Sequence, residues 1–249
     1  MKEFVAWLFS EKTSSLKIGL FDQWHFLYLF VIFGGTLLLS LLFRNKAEEK
    51  KDKVLRLFAY LTFGLYIADF LIMPLSDSYS GISVYKLPFN ICTIMAVMVP
   101  FVQFNKRFKP IKSVVVVLSA ASSLMWMCYP GSALGGQPPF CYLIFQTFMY
   151  HGLLFCWAVL NMAYGEVKLD IRKIWKDFLG ILAILVWAAF GNTIYDGEHN
   201  WFFIEKSIFP FLKDEVMPVA VVASVFGVCL VIYGIYYGLK AAGRKKAAV

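Results

Sequence analysis

LPFNICT (87–93) opens an apolar run that continues without a charge to Phe104. It sets Asn90 and Cys92 just inside that run, behind Pro88. What an amide and a thiol can do there depends on the solvent around them. In water they need no explanation, whereas in hydrocarbon an unpartnered polar group costs several kcal/mol.

The rest of the 249-residue chain settles the solvent. Hydrophobic residues make up 60% and charged residues 16%, with mean hydropathy +0.67, where soluble domains are about half apolar and about a quarter charged. Length therefore counts membrane spans of about 20 residues each. The runs between charge clusters predict seven: Trp24–Phe43, Val54–Leu75, Leu87–Phe104, Ile111–Tyr129, Phe140–Tyr164, Ile171–Asn192 and Met217–Leu239, the third being the shortest. They are long and uninterrupted, so helices are expected rather than the ten-residue alternating segments of an outer-membrane barrel.

Charge predicts the orientation. The net +8 gathers in RNKAEEKKDKVLR (44–56), NKRFK with Lys112, the 168–176 connection and GRKK near the C-terminus. The alternate connections are poor in positive charge: SDSYSGISVYK (76–86) holds one Lys and YPGSALGGQPP (129–139) has no charge. By the positive-inside rule the N-terminus lies outside and the C-terminus in the cytoplasm. The expected fold is an all-α integral membrane protein, a bundle of seven transmembrane helices over 24–239. An amphipathic surface segment (1–23) precedes it and a basic cytoplasmic tail (240–249) follows. The location is the cell membrane, with several passes. The basic bias reports topology, and nothing resembles a nucleic-acid module.

With that topology the intramembrane polar residues collect in one half. Cys92 and Asn90 lie near the outer end of span three, Asp69 in the outer part of span two, and His25 at the outer start of span one. Asn192 ends span six, while Gln146 and His151 sit deeper on span five. Ionisable groups in a bilayer face a partner or a wet cavity and mark candidate sites. Asp69 can pair with His25 or a Tyr, and Asn90, Gln146 and Asn192 either bond across helix interfaces or line a cavity. Cys128, Cys141, Cys156 and Cys229 read as small hydrophobes. A Cys128–Cys141 disulfide is open to the first two, across the uncharged loop at 129–139. That loop is a simple turn or a lid dipping into the outer leaflet. His151 lies two turns or more deeper than Cys92 if spans three and five begin at one level.

Several chemistries are absent from the sequence. There is no phosphate loop, HExxH, CxxC or GxSxG, the three His show no metal spacing, and no cofactor is implied. A thiol with a His in reach leaves nucleophilic acyl chemistry open. A transporter or lipid-handling protein without chemistry remains the alternative.

FDQWHFLYL (21–29), LPFNICT (87–93), FQTFMYHGLL (145–154) and FGNTIYDG (190–197), in that order on seven helices, resemble the YwaF-like family of integral membrane proteins. Its eukaryotic relative is transmembrane protein 164. The most specific feature is a Cys behind an LP dipeptide on span three, with a His-Gly about sixty residues on. The resemblance implies a cysteine-dependent acyltransferase acting on phospholipids or lysolipids, with Cys92 as nucleophile and His151 as base. His25 and Asn192 then fall on polar positions that the family also marks. In plan the group is similar to the androgen-induced-protein intramembrane lipid hydrolases, which use a Thr and a His. Bacterial members typically read like LPLHLCD; here Asn90 stands for that His and Thr93 for the Asp.

Overall fold

The computed structural model describes residues 16–75, 84–130, 134, 137–195, 199–207 and 212–247, excepting the side chains of Tyr85 and 243–247. The expected amphipathic segment up to residue 15, residues 76–83 of the 76–86 connection, much of the 129–139 loop and the basic side chains of GRKK lie outside the described residues.

Among those residues the chain forms seven α-helices and no strand: α1 (Gln23–Phe43), α2 (Glu48–Ile72), α3 (Ile91–Phe104), α4 (Lys112–Cys128), α5 (Tyr142–Ala163), α6 (Trp175–Ile194) and α7 (Met217–Ala247). Six helical stretches are long and apolar enough to cross a membrane. The exception is α3, whose 14 residues span about 21 Å against a hydrocarbon core of about 30 Å.

Local chemistry sets the helix ends. Asp22 caps α1, its carboxylate accepting from the amides of Trp24 and His25, because the first amides of a helix have no partner within it. The second helix begins six residues before the predicted run. Glu48 and Glu49 occupy its first turn, where the helix dipole favours acids, and Lys51–Glu48, Lys53–Glu49 and Arg56–Asp52 pair along the extension. The seventh helix likewise runs on through the basic tail. By contrast α3 starts four residues late, since Pro88 and its neighbours hold a non-helical turn over 87–90.

Helices α4 and α5 are enclosed over most of their length, whereas α1 is buried only along a stripe and exposes Phe26, Phe30, Leu37 and Leu41 outward. A surface this apolar suits lipid. Close approach depends on small residues: a Cβ on Gly152 of α5 would come within 2.8 Å of Ile32 on α1, and one on Gly191 of α6 within 2.5 Å of the Phe89 ring.

The basic connections share one end of the bundle. Gln103, at the end of α3, donates to Asp52 and accepts from the Trp157 indole. Lys112 faces Glu166, and Tyr237 bonds Leu169 and Ile171. The opposite, far end carries His25, Asp69 and the LPFN turn.

Candidate functional site

The turn at 87–90 is irregular backbone at bundle depth, so its carbonyls need donors. Neighbouring helices supply them. Tyr66 of α2 donates to the Lys86 carbonyl at 2.9 Å, and the exposed Trp187 of α6 donates its indole N–H to the Pro88 carbonyl at 2.7 Å. The single Thr93 hydroxyl proton is shared between the carbonyls of Asn90 (2.8 Å) and Leu87 (3.2 Å). Phe89 plugs the turn into α6, stacked on Trp187 and packed on Trp201.

This clamped turn lowers the start of α3. The Tyr150 hydroxyl of α5 donates to the Cys92 carbonyl at 2.6 Å, and further along the two helices Trp157 meets Gln103. Side chains on a helix lean toward its N-terminus, so Cys92 stands roughly level with residues 146–150 of α5. Spans three and five therefore do not begin at one level, so the two-turn offset expected from a common starting level does not apply. Short α3 is the cause.

The half-buried Cys92 thiol faces α4 beside Ser122, whose own hydroxyl reaches the Ser119 carbonyl at 3.4 Å. One turn along α4 from Ser122, Trp126 stacks face to face on the buried His151 ring, with centroids 4.0 Å apart. His151 Nδ1 lies 2.8 Å from the Thr147 carbonyl, which can only accept, so the proton is on Nδ1 and Nε2 holds the lone pair. Among the described residues Nε2 bonds no protein atom, and no hydrogen bond joins it to Cys92. The thiol, beside Ser122, and the imidazole ring, on Trp126, thus both lie against α4 at positions one turn apart.

His25 is different. Nδ1 accepts from the Phe21 amide at 3.1 Å, which leaves the proton on Nε2 for the Met127 carbonyl at 2.8 Å. Both nitrogens are occupied. The ring is a clasp between the start of α1 and the end of α4.

The remaining polar residues form two groups. Asp69, buried on α2, accepts from the Tyr142 hydroxyl at 2.9 Å and pairs with Lys86, whose Nζ lies 2.6 Å from Oδ2. The ammonium meets that oxygen as an ion pair rather than along an aligned hydrogen bond. One turn below, Gln146 reaches the Leu65 carbonyl at 3.4 Å and accepts from Thr147. The second group holds the Trp201–Phe203 turn: Asn192 accepts from the Trp201 amide and donates to its carbonyl, and Asn90 accepts from the Phe202 amide. Phe202 has φ +58°, a strained left-handed value for a non-glycine, and this amide bond helps to hold it.

Of the residues named from sequence, Cys92 and His151 approach one α4 face, Asp69 and Gln146 line the α2–α5 seam, and His25, Asn90 and Asn192 are engaged structurally. Asp69 has its Tyr partner, Tyr142; its cation is Lys86 and not His25. All five cysteines are free thiols, Cys128 and Cys141 included. Sequence reasoning missed Lys86, Ser122, Tyr150 and Asp177. Lys86 carried a signal, being the one Lys of a connection poor in positive charge. Asp177, buried on α6 and bonded by Tyr233 at 2.8 Å, was visible as an acid inside the sixth run. Ser122 and Tyr150 had none, because only the register of α3 brings them to Cys92.

Apolar helices with lipid-facing surfaces and an internal polar seam define a multi-pass helical membrane protein with a thiol and an unencumbered imidazole nitrogen in its interior. The chain belongs to the TMEM164 family, which it matches over residues 20–237. No curated protein and no solved structure matches it.

Proposed function

We propose that the protein is a phospholipid acyltransferase of the cell membrane, with Cys92 as nucleophile and His151 as base. In this reading it has seven spans, with α3 completed by the 84–90 turn, an extracytoplasmic N-terminus and a cytoplasmic C-terminus. Its relationship extends to the YwaF-like proteins and, in plan, to the androgen-induced-protein hydrolases. The basic clusters gathered at one end support the orientation. The observation that carries the function is the pairing of Cys92 at the level of Tyr150 with a His151 whose tautomer leaves Nε2 basic.

The chemistry follows from those positions. A neutral thiol is a poor nucleophile, so its proton passes to His151 Nε2, with the Ser122 hydroxyl as relay across the intervening turn. The thiolate attacks the ester carbonyl of a membrane phospholipid. The tetrahedral intermediate collapses, the lysolipid alkoxide leaves and takes the proton back from the imidazolium, and a thioester remains on Cys92. The hydroxyl of a second lysolipid then gives its proton to His151 and attacks the thioester, returning the thiolate. The amide NH2 of Asn90 is the candidate donor for the oxyanion, since its oxygen alone is engaged whereas Asn192 has both polar atoms engaged.

Incubating purified protein with a defined phospholipid and an isotopically labelled lysophospholipid tests this by lipid mass spectrometry. Label in diacyl product, absent with Cys92→Ala and His151→Ala, is the expected result. Release of free fatty acid would make the protein a hydrolase, and lipid flux surviving Cys92→Ala would make it a transporter.

A further inference from the structure

The Lys86–Asp69 pair ties the turn to α2, and stability alone is a weak reason for it. A buried ion pair replaced by well-packed apolar side chains is often neutral or stabilising, and Tyr66 anchors the turn through the Lys86 carbonyl, whatever the side chain. The pair is also asymmetric. Asp69 is 2% exposed and also holds the Tyr142 hydroxyl, whereas the Lys86 side chain is 24% exposed. What the pair presents at the far end is therefore its cation.

The cation stands in a defined place. It lies on the residue before the LPFN turn, six positions from Cys92, and Tyr66, which bonds its carbonyl, packs against Tyr150, which bonds the Cys92 carbonyl. Positive charge is sparse on this side of the protein, so topology does not account for it. An ammonium has three N–H donors, and Asp69 Oδ2 occupies one direction.

We propose that Lys86, held in position by Asp69 and Tyr142, seats the phosphate of a glycerophospholipid, so that the site selects phosphate-bearing lipids over uncharged acyl esters. In such a lipid the phosphate and the ester carbonyls are a few bonds apart on one glycerol, with the carbonyls on the hydrocarbon side. A phosphate at Lys86 directs an ester toward Cys92, which lies deeper. Asp69 orients the ammonium and competes with the ligand for it. The proposal takes its sense from the acyl-transfer reading, but it concerns binding and stands or falls separately.

The test reads binding in the full chain carrying Cys92→Ala, which does not turn over, so that failure of the catalytic reading leaves the measurement intact. Retention of phosphatidylcholine is compared with that of diacylglycerol of the same chains, in neutral detergent. A preference of about tenfold or more for the phospholipid is expected, as for a charge-assisted contact. Adding Lys86→Met with Asp69→Asn, which leaves no unpaired buried charge, abolishes the preference; Lys86→Arg keeps it. Asp69→Asn alone frees the ammonium and raises phospholipid retention severalfold. Inorganic phosphate or glycerophosphate that displaces the lipid supports the seat, and phosphate that binds without displacing it marks a free-anion site and overturns the proposal. Equal retention of the two lipids by the Cys92→Ala protein, or a preference that survives the double neutralisation, also overturns it.

Discussion

Two buried histidines, His25 and His151, both meet the end of α4 and differ in one respect. His25 has both ring nitrogens bonded to backbone, to Phe21 and Met127, and fastens α1 to α4. His151 has one nitrogen bonded to Thr147 and the other open. Burial does not separate them, and neither does residue type. The partner of the second nitrogen does, because a lone pair already accepting an amide proton cannot take one from a thiol. The same distinction separates Asn192, engaged at both polar atoms, from Asn90, engaged at one.

Breaking the open side of the comparison has the largest expected effect. Cys92→Ala lowers acyl transfer by about 10⁴-fold or more, as removal of a nucleophile does elsewhere, with thermal unfolding in detergent little changed. His151→Ala lowers it by about 10²–10⁴-fold; a loss under tenfold would remove this residue from the role of base.

The closed side is read in stability. His25→Ala strands the Phe21 amide and the Met127 carbonyl, and costs about 2–4 kcal/mol in unfolding, while the transfer rate per folded molecule falls less than tenfold. A rate loss as large as that of His151→Ala would erase the distinction. Gly191→Ala sharpens the comparison through the turn that sets the level of Cys92. Its Cβ must displace the Phe89 ring, at a cost of about 1–3 kcal/mol, and activity drops along with stability. Smallest is Tyr150→Phe, which removes the bond to the Cys92 carbonyl for about 1 kcal/mol and leaves transfer within tenfold.

Much of this was legible in the amino-acid order. Apolar runs and charge clusters respond to the solvent alone, so the helices appear within a few residues of their predicted bounds, save where ion pairs lengthen α2, Pro88 delays α3 and α7 runs on through the basic tail. Cys92, His151 and Asp69 were identifiable because ionisable or reactive groups are rare inside apolar runs. Which of them work together was not legible. Lys86 pairs with Asp69, Tyr150 with Cys92, and Trp126 with His151 through contacts between segments distant in sequence, and periodicity along one helix carries no information about the level of another.

The sequence by itself determined the solvent, the apolar helical segments and the placing of basic residues in alternate connections, since each depends on transfer free energy summed along a local segment. Only the tertiary structure decided the depth of α3, and with it the level at which Cys92 meets α5. The hydrogen bonds that clamp residues 86–90 come from Tyr66, Trp187 and Thr93 on three different helices, and a turn held by three helices exists only once they have packed.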